Sequence, residues 1–324
     1  MASADVVVVG GGPAGVAAAL TLSRAGRRVA LVDKAAFPRD KCCGDGLTTG
    51  ALRRYEALGL DPRTVASWEP VAGCWIRTPG GRRLHLRLPE DGQYVAAARR
   101  SDLDAAFLDV ARNAGVEVAE GAAVTGINAE RAGPIAIDLA DGRRLRAWYV
   151  VAADGMWSPV RKLSRGPESG YLGEWHAARQ YIRDVGPAAR DMWVWFESDL
   201  LPGYAWSFPL PDGGANVGYG VLRTDGQTAG SSRRQLDALL ARPHISEVLG
   251  PAAAAEAPLK AWPIPGRVGN VSLDALGGRV LFAGDAARAA DPMTGEGIAQ
   301  ALETGELAAR AIARAGARAP ARAA

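Results

Sequence analysis

The sequence predicts an α/β protein in which a nucleotide-binding domain of Rossmann type is interrupted by an antiparallel, β-rich domain. Three observations predict it. A buried strand, a glycine turn and a small-residue helix open the chain, Val6 to Ala25. A second strand, glycine turn and helix return only near residue 280. The stretch between, above all 170–223, is rich in aromatics, Gly and Pro, with alternating segments such as Asp191 to Glu197. The 324 residues suit two domains, and 48% hydrophobic with 23% charged residues is ordinary globular usage. A net charge of +3 is too small to imply a nucleic-acid partner.

Val6–Val9 is a β-branched run, as expected of a strand buried on both faces. Four apolar residues make neither a signal peptide nor a span; only peripheral membrane contact is left open. Helix Val16 to Ala25, closed by Gly26, and strand Arg28 to Val32 follow. Residues 37–47 read as loop and Thr48 to Leu58 as helix. Strands are expected at 71–77, 83–88 and 93–98. Ser101 is the expected N-cap of a helix over Asp102 to Asn113. Further strands are expected near 116–118, 123–127, 135–139 and 144–153, with one helical stretch over 232–249. Val280 to Ala283 is a buried strand, and a last helix spans about 296–314. The tail 315–324 holds only Ala, Arg, Gly and Pro and reads as flexible. Cys42, Cys43 and Cys74 form no disulfide framework, which suits a reducing, cytoplasmic setting. His85, His176 and His244 show no ligand spacing, so no metal is expected.

Gly10-x-Gly12-x-x-Gly15 follows the first strand and opens a helix. The first glycine permits the tight turn, the second lets backbone approach a pyrophosphate, and the third lets helix pack on strand. The helix N-terminus then offers free N–H groups to phosphate. Asp33, 23 positions past Gly10, ends the second strand, where a carboxylate accepts from ribose hydroxyls. Near the other end, Gly284-Asp285 closes a strand, and Gly295 and Gly297 sit at the start of the last helix. Such an acid suits a ribityl hydroxyl, and such N–H donors suit the flavin edge that gains negative charge on reduction. With Asp154-Gly155 after a third strand, the bound dinucleotide is expected to be FAD. The predicted FAD-binding domain is discontinuous, 1–70, 99–165 and 270–314; 71–98 and 166–269 form the β-rich substrate domain.

These three segments, in this order, resemble the motifs of the hydroxylase-like flavoproteins. Two further stretches, Lys41-Cys42-Cys43-Gly44-Asp45-Gly46-Leu47 and Pro202-Gly203-Tyr204-Ala205-Trp206-Ser207-Phe208-Pro209 followed by Ala215-Asn216-Val217-Gly218, resemble the geranylgeranyl reductase family. The CGDGL form looks most like the bacterial branch that includes menaquinone side-chain reductases. The resemblance implies FAD contacts at Ala14, Asp33, Cys43, Gly44, Gly46, Arg100, Val124, Asp285, Gly297 and Ile298. It implies reduction of C=C bonds in a hydrophobic, isoprenoid-type or lipid substrate. The sequence departs from the family in Asp33, more usually Glu, in the vicinal Cys42-Cys43, and in the 27 residues after Gly297, where a longer segment is common.

An isoprenoid double bond offers no charge, so its site must be an apolar slot beside the flavin. Trp206, Tyr204 and Phe208 supply aromatic surface at strand spacing; Trp193, Trp195 and Phe196 do too, but read first as ordinary sheet core. Cys43 reads either as a residue that gates, orients or relays a proton, or as a packing thiol; Tyr204 is another donor candidate. No second glycine motif appears, so the electron donor is expected to be transient: NAD(P)H, ferredoxin or a partner reductase. The alternative on the same fold is an FAD-dependent monooxygenase that hydroxylates or epoxidises a hydrophobic intermediate. A non-enzymatic flavin binder is the third reading.

Overall fold

The computed structural model describes residues 4–130, 133–166, 170–224 and 229–315. Its central sheet has the order Asp274–Ala275, Val280–Phe282, Tyr149–Ala152, Val6–Val9, Val29–Val32, Glu117–Ala119. All neighbours run parallel except the first pair. Val6, Val7 and Val8 are fully buried; burying a side chain of this size stabilises by roughly 1.5–3 kcal/mol. Helix Pro13–Arg24 packs against the last helix, Ile298–Arg314. Contact is so close that a Cβ on Gly305 would sit 2.1 Å from the Ala14 carbonyl oxygen. That approach joins the two ends of the chain, and Thr304 Oγ1 ties the last helix to the Gly284 turn by accepting from the Gly284 N–H at 2.9 Å.

A second sheet is built from Arg83–Arg87, Gly73–Arg77, Met192–Trp195, Tyr204–Leu210, Gly214–Leu222 and Trp175–Arg183, with Ala254–Ala255 and Lys260–Ile264 both on the last of these. It is antiparallel apart from the pairing of Gly73–Arg77 with Met192–Trp195. Because side chains alternate along a strand, this sheet has two characters. Ala178, Ala205, Ala215, Val217 and Tyr219 face a core shared with helices Ala229–Leu240 and Pro243–Leu249. Tyr204, Trp206, Phe208, Ala177 and Arg179 face a cavity. Trp206 pairs with Gly218 across the strands, and a Cβ at 218 would meet its ring at 2.5 Å. Two small sheets complete the fold: Arg144–Ala147, Ile135–Leu139, Val124–Ala129, and Gly46–Leu47, Ala96–Ala97, Glu69–Pro70. The second ties Ala96–Ala97 to strands on the other side of the boundary drawn at residue 71.

Three local expectations are corrected. Ser101 is not an N-cap: the helix begins two residues earlier than expected, Arg100–Asn113, where Ser67 Oγ accepts from the Arg99 N–H at 2.9 Å, and Ser101 lies in its first turn. The run 144–153 is two strands in different sheets, Arg144–Ala147 and Tyr149–Ala152. The chain turns at Trp148, where the N–H groups of Trp148 and Tyr149 both meet the Asp5 carbonyl. The stretch 232–249 is two helices, because Pro243 has no N–H to continue the first and holds Arg242 extended. Trp193 and Trp195 take the sheet-core reading: they belong to the core under the helices, on the opposite side of their strand from the cavity-lining Met192. The flexible tail expected over 315–324 lies, beyond residue 315, outside the described residues.

Candidate active site

One cavity of about 1050 Å³ lies between the two large sheets. Its walls include Gly10, Gly12, Ala14, Asp33, Cys43, Gly44, Gly46, Arg100, Val124, Asp285, Gly295, Gly297 and Ile298, together with Tyr204 and Trp206. Residues from both chain ends and from the aromatic stretch thus share one space. Gly15 is the predicted residue that stays outside: it packs under the turn, where a Cβ would sit 1.8 Å from the Gly10 carbonyl oxygen.

At one end, helix Pro13–Arg24 starts at Gly12 with no side-chain cap, and helix Ile298–Arg314 starts at Gly297, where Glu296 Oε1 accepts from the Ala299 N–H at 3.4 Å. Both helix starts border the cavity, and helix N-termini are where anionic groups are held. Gly10 takes φ 109°, with Ala153 carbonyl oxygen only 2.2 Å from where a Cβ would be. Asp33 accepts from the Gly11 N–H at 2.6 Å and the Ala35 N–H at 2.8 Å. Those contacts fix its carboxylate at the cavity edge while lone pairs remain for a ribose. Asp285 lies 3.6 Å from Lys41 Nζ. Asp154 accepts from Ser158 Oγ at 2.6 Å and the Val160 N–H at 2.9 Å, so it caps helix Pro159–Arg165. Glycine backbone, paired helix N-termini and separate acids fit a dinucleotide.

At the other end, the loop of the CGDGL motif lies flush on the aromatic strand. A Cβ on Gly46 would meet the Phe208 ring at 2.9 Å, and one on Gly44 would meet Phe208 and Trp206 at 3.3 to 3.4 Å. Asn216 joins the two motifs. Its Nδ2 donates to the Cys43 carbonyl at 2.8 Å and to Asp45 Oδ2 at 2.9 Å, and its Oδ1 accepts from Trp206 Nε1 at 3.1 Å. Tyr181 donates its hydroxyl proton to the same Asp45 oxygen at 2.7 Å. Beside it, Arg179, only 1% exposed, stacks over Tyr181 and pairs with Asp40 at 2.6 Å. Arg100 forms a buried bidentate pair with Asp104, 2.7 and 2.8 Å, which Arg39 joins at 3.0 Å.

Burial raises the Cys43 thiol, despite the Arg100 charge nearby, and pushes Cys42 up to about 11. All three cysteines are free thiols. Tyr204, also raised by burial, to about 12, donates to the Thr294 carbonyl at 2.5 Å. Asp45 is fully enclosed, and burial pushes its carboxyl up to about 6 against the pull of Tyr181 and Asn216. Asp45, Asn216, Tyr181 and Arg179 carried no role in the sequence reading. Asp45 and Asn216 lie inside the motifs quoted above; nothing local marks Tyr181 or Arg179. Among the described residues, no three His, Cys, Asp or Glu side chains are grouped to hold a metal ion.

Fold and cavity define an FAD-binding protein, and a model of the FAD binding domain matches residues 3–319. The chain belongs to the geranylgeranyl reductase family of FAD-dependent oxidoreductases. It is 36% identical to a menaquinone reductase of Mycobacterium tuberculosis strain H37Rv, over 96% of this chain and 76% of that protein. It is 30% identical to digeranylgeranylglycerophospholipid reductase 2 of Methanopyrus kandleri, over 96% and 77%. A crystal structure of a geranylgeranyl bacteriochlorophyll reductase-like protein from Thermoplasma acidophilum superimposes with a TM-score of 0.80 at 25% identity, covering 97% of this chain and 78% of that one.

Because the Cys43 thiol stays protonated, its expected part is contact rather than nucleophilic attack. Cys43→Ser should keep FAD and alter turnover by less than about tenfold. Flavin content and steady-state rates check this, and a loss of turnover beyond a hundredfold would restore a chemical role.

Proposed function

We propose that this protein saturates C=C bonds in the isoprenoid chain of a lipophilic substrate, a prenylated quinone or prenyl lipid. The observation that carries the reading is the aromatic wall. Tyr204, Trp206 and Phe208 lie on one face of a strand, and Trp206 and Phe208 close directly onto the loop Cys43 to Gly46, in the cavity whose far end suits the dinucleotide. Such a wall orients an uncharged chain by contact area and excludes water. Gly10, Gly12 and Ala14 would hold the pyrophosphate, Asp33 the ribose, Asp285 the ribityl chain, and Gly295 and Gly297 the flavin edge. Val124, Ile298, Arg100 and the Cys43–Gly46 loop would border the cofactor. When bound and reduced, FAD supplies two electrons and one proton; NAD(P)H, ferredoxin or a partner reductase would reload it. Among the described residues no helix is long and apolar enough to cross a membrane, so substrate would be taken up at a membrane surface or from a carrier.

The test is anaerobic incubation of the dithionite-reduced protein with a panel of prenyl compounds. Air exposure afterwards returns any quinol to quinone, so a two-hydrogen mass gain that survives it lies on the side chain. A product formed only with O2, and carrying oxygen, would favour the monooxygenase reading.

A further inference from the structure

The reading above leaves one proton without a source. Saturating a C=C bond breaks its π bond and forms two C–H bonds, which takes two electrons and two protons; the cofactor accounts for both electrons and one proton. Of the other carboxylic acids that line the cavity, Asp33 binds two backbone N–H groups, Asp154 caps a helix, Asp40 is paired with Arg179 and Lys260, Asp285 faces Lys41, and Glu296 accepts from Thr48 Oγ1 and the Ala299 N–H. Tyr204 has its hydroxyl proton committed to Thr294.

Asp45 differs from all of them. Its backbone sits at φ 64°, unusual for a residue other than glycine, and the Ala98 N–H holds its carbonyl at 3.0 Å. Its own N–H meets Cys43 Sγ at 3.4 Å. Both hydrogen bonds to the carboxyl, from Tyr181 and Asn216, converge on Oδ2. Oδ1 is buried without a partner. A bare ionised oxygen is far costlier to bury than a neutral acid with its proton on Oδ1. The groups that face this carboxyl are Tyr181 and Arg179 from one strand, Asn216 from the next, Arg99 and Arg100 from the start of a helix, and Cys43 from its own loop.

We propose that Asp45 is the acid of the reduction, supplying from Oδ1 the second proton that the alkene takes up; the proposal rests on the reductase reading. The alkene carbon gains the proton, Asp45 is left as carboxylate, and water reprotonates it between turnovers. With the carboxyl at about 6, roughly one molecule in ten carries the proton at pH 7. The kcat/KM of the wild type should therefore fall about tenfold per unit above pH 6.

The experiment measures kcat/KM against pH, flavin content, and the infrared carbonyl band of a protonated carboxyl, in wild type, Asp45→Asn and Tyr181→Phe. Asp45→Asn should lose about a hundredfold or more in turnover, lose the pH limb and lose the titrating band, with FAD retained. Tyr181→Phe removes a hydrogen bond that favours the carboxylate, so limb and band should both move to higher pH. That shift is beyond a merely structural role, and it decides the matter if Asp45→Asn fails to fold. Asp45→Asn with wild-type turnover and limb, or Tyr181→Phe with limb and band unmoved, overturns the proposal alone. A wild type that saturates no prenyl chain overturns it together with the reductase reading.

Discussion

Asp285→Ala is expected to purify almost colourless. The residue lies in the short 3-10 turn Gly284–Ala287 that follows the strand Val280–Phe282, and it lines the cavity. A hydrogen bond to a charged acceptor contributes about 1.5–3 kcal/mol, so its loss should weaken FAD binding about 10- to 150-fold. The substitution also leaves Lys41 without its carboxylate 3.6 Å away, adding positive charge at the site. The ratio of bound flavin to protein after desalting, with the dissociation constant from flavin fluorescence, checks this. Full occupancy would remove Asp285 from the cofactor's contacts.

Asn216→Leu should cost the most stability of any single polar substitution at the cavity. The side chain is fully buried and serves three partners at once: the Cys43 carbonyl, Asp45 and Trp206. Leucine has similar volume and makes none of these bonds. Leaving a buried polar group unpaired costs about 1–3 kcal/mol, so a loss of about 3–6 kcal/mol is expected once partial relaxation is allowed. Thermal unfolding should shift down by about 2–4 °C for each kcal/mol. An unchanged midpoint would mean that the loop and the aromatic strand are held together by packing alone.

The cofactor half of the site was legible because its signals are local. A strand, a glycine turn and a helix start within ten residues, and Gly284-Asp285 repeats the logic at the other end. The substrate half was less so. Alternation announced a sheet at Asp191 to Glu197, but period two does not say which face meets a cavity, and Trp193 and Trp195 turned to the core. The Asp45 cluster was invisible for another reason. Its partners Tyr181 and Asn216 lie 136 and 171 positions away, brought in by adjacent strands of a sheet. The break at Trp148 depends likewise on the distant Asp5 carbonyl. Side-chain pairing over such separations has no sequence period.

The central claim is that one cavity sets an FAD against an aromatic wall that seats an unsaturated prenyl chain. The most direct measurement follows the flavin spectrum of the anaerobically reduced protein after adding a prenyl compound that has no quinone ring. The account predicts that the oxidised flavin spectrum returns without oxygen, and that the same compound with a fully saturated chain leaves the flavin reduced. A flavin that stays reduced with every unsaturated chain, and reoxidises only when oxygen is admitted, would contradict it.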